Sequence, residues 1–140
     1  MSYGPRASQL CLLSSLPTKY VGDKVRFLGC VVSYSTVSGV LALEHRIPGE
    51  SHSVTAQVDV NMVLQSLGSE QIRTGEWVNV IGYITEIAPS TDDGERDSRR
   101  TTVQAQAVLL WSAGPFDLRR YEASIMALEP AGTTRERVAS

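Results

Sequence analysis

Between residues 53 and 60 apolar and polar side chains alternate without a break: Val54, Ala56, Val58 and Val60 against Ser53, Thr55, Gln57 and Asp59. That period of two is the signature of a strand with one buried face. Four further runs read as strands. Residues 24–36, KVRFLGCVVSYST, are β-branched and aromatic, with Val25, Phe27 and Val31 on one face. Leu28, Cys30, Val32 and Tyr34 fall on the other, so this strand is expected to be covered on both sides. Ser38-Gly39 then turns the chain into a run from Val40 to Ile47. A fourth run goes from Trp77 to Ile87 after Thr74-Gly75-Glu76. The fifth, 101–112, alternates Val103, Ala105, Ala107, Leu109 and Trp111 with Thr102, Gln104, Gln106, Val108 and Leu110. Outward Leu28, Val108 and Leu110 suggest a covered outer wall. Gly29 and Gly82 sit in mid-strand, where glycine marks a sharp bend or a close approach.

Two segments change period. A short helix is expected after Asn61, with Met62, Val63, Leu64 and Leu67 on its apolar side and Gly68 as its stop. A second follows Gly114-Pro115, from about Phe116 to Glu129. At about 100° per residue its Leu118, Tyr121, Ile125 and Leu128 form a stripe about 80° wide. Phe116, Ala123 and Ala127 lie roughly opposite, so this helix carries apolar material on two sides.

Three strands, a short helix, two strands and a final helix is the order of a five-stranded Greek-key barrel of the oligonucleotide/oligosaccharide-binding (OB) architecture, an all-β class with helices. Residues 1–129 are expected to form that one domain, with 1–22 an N-terminal arm and short helix. The stretch 89–100, with Asp92, Asp93, Glu95, Arg96 and Asp97, reads as a solvated mobile loop, and 130–140 as a flexible tail.

Composition narrows the chemistry. At 140 residues, 42% hydrophobic and 20% charged, the chain suits one soluble globular domain. No apolar stretch is long enough for a membrane helix, and Gln9–Leu13 behind a lone Arg6 is too short for a signal peptide. Cys11 and Cys30 lack CxxC spacing and read as free thiols in an intracellular protein. Phosphate-loop, serine-hydrolase and zinc-protease motifs are missing, so no enzyme activity and no cofactor is expected. His45 and His52 flank a Pro48-Gly49 loop and read as ordinary surface histidines rather than metal ligands.

The segments KVRFLGCVVSYS, VTAQVDV, TGEWVNVIGYI and VQAQAVLLWSAGPFDLRRYEASI together resemble the smallest subunit of the CST telomere-capping complex. This is the TEN-one family, here of fungal type, related in turn to the smallest subunit of replication protein A. The resemblance spans about residues 10–128. It implies a non-catalytic nuclear subunit at telomeres that forms a heterodimer with an STN-one-type OB partner. The larger CST subunit, single-stranded telomeric DNA and DNA polymerase alpha–primase, in lagging-strand fill-in, would be its further associates. Carried onto this chain, the partner-binding helix face comprises Leu118, Tyr121, Ile125 and Leu128; Met126, about 80–160° around the helix from them, is a weaker candidate, and Arg119 is a separate rim candidate for a partner carboxylate.

Leu118, Tyr121 and Ile125 also have the spacing of anchors for a helix-in-groove contact. The plain alternative is that the same stripe packs on its own barrel. For nucleic acid the candidates are Lys24, Arg26, Arg46 and Arg73 for phosphates and Tyr34, Trp77 and Tyr83 for bases. Lys24, Arg26 and Tyr34 share even spacing along one strand, hence one expected face. A net charge of −2 means that binding by this chain alone would be weak and salt-sensitive. A free-standing single-stranded nucleic-acid-binding OB module, or a replication protein A small subunit, remains the competing reading.

Overall fold

The structure, a computed structural model, describes residues 7–50, 52–89 and 99–128. The expectations for residues 1–6, for the middle of the loop at 90–98 and for the tail beyond 128 lie outside the described residues. In chain order the elements are β1 (Gln9–Leu10), β2 (Lys24–Ser35), β3 (Val40–Glu44), β4 (His52–Asp59), β5 (Trp77–Pro89), β6 (Arg99–Ser112) and α1 (Leu118–Leu128). The sheet runs β1-β2-β3-β4-β6-β5 and closes on itself through β2–β5. β4 and β6 run parallel, while the other pairs of the closed ring are antiparallel. Closure removes the free edges of the five long strands, and the OB barrel expected from the element order is the architecture present.

β2 is long enough to serve both halves of the barrel. Lys24–Cys30 pairs with β5 and Cys30–Ser35 with β3. The changeover falls beside Gly29, where a Cβ would stand 2.8 Å from Leu43 Cβ and 2.9 Å from Leu13 Cδ1. Gly82 is equally confined, because a Cβ there would run into the backbone carbonyl of Gln106. Phe27, Val31, Leu41, Leu43, Val58, Val78 and Val80 fill the interior. The inward set of β4, Val54, Ala56, Val58 and Val60, is buried as its alternation requires.

Four expectations are corrected or refined. The N-terminal arm and short helix are tied to the barrel: β1 adds a short parallel strand to β2, and the short helix, a 3₁₀ helix at Leu13–Thr18, puts Leu13 and Leu16, with Cys11, into the core. The short helix expected after Asn61 is present as a 3₁₀ helix, Asn61–Ser66, but its expected apolar side is not: Val63 is buried while Met62 and Leu64 are exposed. Pro89, Arg99 and Arg100 belong to strands rather than to the loop.

The fourth concerns two phase shifts. β2 slips register between Val31 and Ser33, so Tyr34 pairs with inward Leu41 and packs against the core instead of sharing a face with Lys24 and Arg26. β6 slips opposite Ile81/Gly82, with Val108 as the extra residue. Beyond it Leu110 turns inward against the core and Leu109 outward, 55% exposed. A bulge adds one residue and reverses every later side chain, so alternation read through it inverts.

Candidate partner and nucleic-acid interface

The register of β2, β5 and β6 builds one outer wall row by row. Lys24, Tyr83 and Gln106 lie opposite one another, then Arg26, Ile81 and Leu109, then Leu28, Asn79 and Trp111. The next row is Trp77, Cys30 and Glu44. Opposed residues on neighbouring strands are within side-chain reach. Lys24 Nζ lies 5.9 Å from the Tyr83 ring centre, and the Arg26 guanidinium 5.3 Å from that of Trp111. Both distances suit a cation held over an aromatic face. Leu109 stands out from this wall, whereas Leu28 on the same face is buried.

Past Trp111 the chain turns through Gly114, whose φ of 70° suits glycine, and α1 lies over the last row. Asp117 opens the helix by accepting the Arg120 N–H on its Oδ1, at 3.1 Å. Phe116 meets Trp77 edge-on at 5.9 Å and Tyr121 at 6.5 Å between ring centres. His45, just past β3, is edge-on to Trp77 at 5.3 Å and tilted against Tyr121 at 6.4 Å. Its Nε2 lies 2.7 Å from Oε2 of Glu122. Ile125 is buried; Leu118, Tyr121 and Glu122 are half-buried; Arg119, Met126 and Leu128 are exposed.

The structure therefore sorts the residues singled out in the sequence. Lys24, Arg26 and Tyr83 come together, joined by Trp111, which alternation had turned inward. Tyr34 is on the core side, and Trp77 is enclosed by His45 and Phe116. Arg46 is exposed beyond β3, with Nε 3.5 Å from Glu44 Oε1, and Arg73 lies in the connection before β5. Of the helix stripe, Ile125 is spent on the chain's own barrel. The residues the sequence reading missed are Ile81, Leu109 and Trp111 on the wall, and the His45–Glu122 pair. The unbroken apolar run Val108-Leu109-Leu110-Trp111 was the available hint of a bulge. Glu122 beside the apolar stripe hinted at a polar partner on the barrel.

Further round the barrel the surface differs in character. β3, β4 and β6 share Glu44 and Gln106 with the rows above and add Gln57, Asp59 and Gln104, with no lysine or arginine on the paired stretch from Val54 to Asp59. Burial pushes the Cys30 thiol above its ordinary range, and the carboxylates of Glu44 and Glu76 push it further. His52 Nε2 is 3.1 Å from Thr101 Oγ1, so the two histidines have separate partners. Among the described residues no helix is long and apolar enough to cross a membrane.

The family model for Ten1, described as "Telomere capping, CST complex subunit", matches residues 1–126. The chain belongs to the Ten1 family. Two solved structures from S. pombe agree. A chain of the Stn1–Ten1 complex is 29% identical over 93% of this chain and 99% of its own length, with a TM-score of 0.61. The telomere capping protein Ten1 is 30% identical over 87% of this chain and 97% of its own, with a TM-score of 0.58. An Entamoeba histolytica asparaginyl-tRNA synthetase, 10% identical, shares the barrel over 81% of this chain and 25% of its own length, with a TM-score of 0.51; that likeness is one of fold. No curated protein matches the sequence. Membership in the Ten1 family makes this a telomere-capping OB subunit and sets aside the free-standing module.

Proposed function

We propose that this Ten1-family chain is a non-catalytic nuclear subunit that pairs with an Stn1-type OB partner through the exposed side of α1 and the adjoining wall of β2, β5 and β6. One observation carries the reading: large apolar side chains are exposed both on the wall and on the helix beside it. Leu109 is 55% exposed, Phe116 39%, Met126 45% and Leu128 69%. Phe116 joins the two surfaces through its contact with Trp77, the end of the outer row on β5. Large apolar side chains left exposed on two adjoining elements point to an interaction surface. The S. pombe relative seen in an Stn1–Ten1 complex supports the kind of partner.

The heterodimer then joins the larger CST subunit at chromosome ends, where the complex holds telomeric single strands and supports fill-in by DNA polymerase alpha–primase. A second reading has one observation in its favour. Lys24 with Tyr83 and Arg26 with Trp111 put cations and rings together on one face, the two ingredients of a single-strand platform. Both readings draw on the same wall, so this one requires a partner that leaves Lys24, Arg26 and Tyr83 uncovered in the complex; at a net charge of −2 the chain alone binds weakly.

The test is light scattering after co-expression with the N-terminal OB domain of an Stn1-type partner. A stable 1:1 species, lost when Met126→Glu and Leu128→Glu are combined, supports the reading. A monomer beside an unbound partner sinks it. For the second reading, Lys24→Ala with Arg26→Ala should weaken DNA binding by the complex and flatten its salt dependence; an unchanged salt series removes it.

A further inference from the structure

Helix α1 has eleven residues, and one of them, Ile125, is buried. A helix of that length is marginal in isolation, and a single buried aliphatic side chain does little to fix its rotation about its own axis. Leu118 and Tyr121 are half-buried beside it, Tyr121 against the His45 ring, and a polar anchor joins them. Glu122 is one turn from Ile125 on the same side of the helix, and its carboxylate reaches His45, 77 positions earlier in the chain. The His45 side chain is fully buried and that of Glu122 is 13% exposed. Trp77 and Tyr121 pack around the imidazole. Nδ1 of His45 has no partner among the described residues, so Nε2 carries the bond to the helix. The neighbouring cation, Arg46, is paired with Glu44 instead.

We propose that the buried His45–Glu122 bond is a positioning latch that sets the roll of α1 on the barrel, and with it the orientation in which Met126 and Leu128 are offered to a partner. A charge-assisted hydrogen bond is directional where an apolar contact is not. Losing either side strands the other in a site shielded from water. His45 stands at the end of a barrel strand, so the rigid half of the latch belongs to the scaffold and the movable half to the helix. The docking clause concerns this chain alone. The partner clause rests on the heterodimer reading above.

The experiment compares the full chain with Glu122→Ala and Glu122→Gln by amide hydrogen exchange, and then measures affinity for the N-terminal OB domain of an Stn1-type partner. Glu122→Ala should speed exchange across 118–128 about tenfold while the β2 and β5 amides keep their protection. Glu122→Gln, whose amide still meets the imidazole, should restore most of it. Partner affinity should fall about tenfold with Glu122→Ala and recover with Glu122→Gln. His45→Leu, a change on the scaffold side that removes the donor and keeps most of the volume, should repeat the alanine result. Helix exchange unchanged in Glu122→Ala overturns the latch. Faster exchange with unaltered affinity overturns the partner clause. A wild-type chain that binds no such partner defeats the heterodimer reading instead, and the exchange data still decide the docking clause.

Discussion

The guanidinium of Arg26, on β2, lies over the indole of Trp111, on β6, with β5 between the two strands in the sheet. The contact runs diagonally, from the Arg26–Ile81–Leu109 row to the Leu28–Asn79–Trp111 row. An exposed cation–π pair is worth about 0.5–1 kcal/mol. Arg26→Ala should lower stability in urea by no more than that, with Trp111 fluorescence altered in the native baseline. A loss of several kcal/mol would mean that Arg26 supports the barrel in a way the wall does not account for.

Charge placed on α1 should separate two roles. Ile125 is buried on the barrel, so Ile125→Glu is expected to release the helix and raise exchange across it. Leu128→Glu, at a residue 69% exposed, should leave circular dichroism and the melting temperature nearly unchanged, as surface substitutions do, while weakening partner capture. Equal destabilisation by the two variants would put Leu128 inside the fold.

The N-terminal segment belongs to the core. Leu13→Ala should cost about 2–5 kcal/mol, the range for a fully buried leucine. Denaturant titration followed by tryptophan emission measures it, and a change below 0.5 kcal/mol would show the segment to be an appendage.

Gly82→Ala should be more damaging than an ordinary surface glycine replacement. The added methyl meets the Gln106 carbonyl, a backbone group that cannot swing aside, and overpacking of this kind costs about 1–3 kcal/mol. Gly49 has a positive φ of 91° but open space around a Cβ, so Gly49→Ala meets backbone strain alone. The two melting temperatures, compared side by side, check the distinction.

Cys30 offers a pH test. Its raised pKa keeps the thiol protonated in the folded chain where the unfolded chain's thiol already ionises. The folded state then holds more protons, so this contribution is intact below the ordinary thiol range and falls as pH rises through it. Alkylation of Cys30 in the native protein should accordingly begin at higher pH than in urea. Glu44→Gln should move the onset part of the way back, since burial is the larger cause. Onset at the same pH in both states would contradict the environment described for Cys30.

Much of this was legible in the chain. The unbroken alternation of β4 fixed its buried face, because a strand with one wet side has no other way to segregate its side chains. Gly29 and Gly82 marked two close approaches, where a Cβ would collide with Leu43 and with the Gln106 backbone. The order of strands and helices was enough for the barrel, and the quoted segments for the family. What the sequence could not supply depends on partners distant along the chain. Bulges at Val32 and Val108 are set by how β3 and β5 pair with their neighbours, and each reverses the faces beyond it. That moved Tyr34 onto the core and brought Leu109 and Trp111 to the wall. Whether Leu13 and Leu16 plug a barrel or trail from it depends on the space that Gly29 leaves open. In the sequence His45 reads as a surface loop histidine, and nothing there ties it to Glu122. Closing the barrel and laying α1 across its corner makes them one buried pair. Local pattern reports which side chains avoid water, but only the packed structure decides which of them meet.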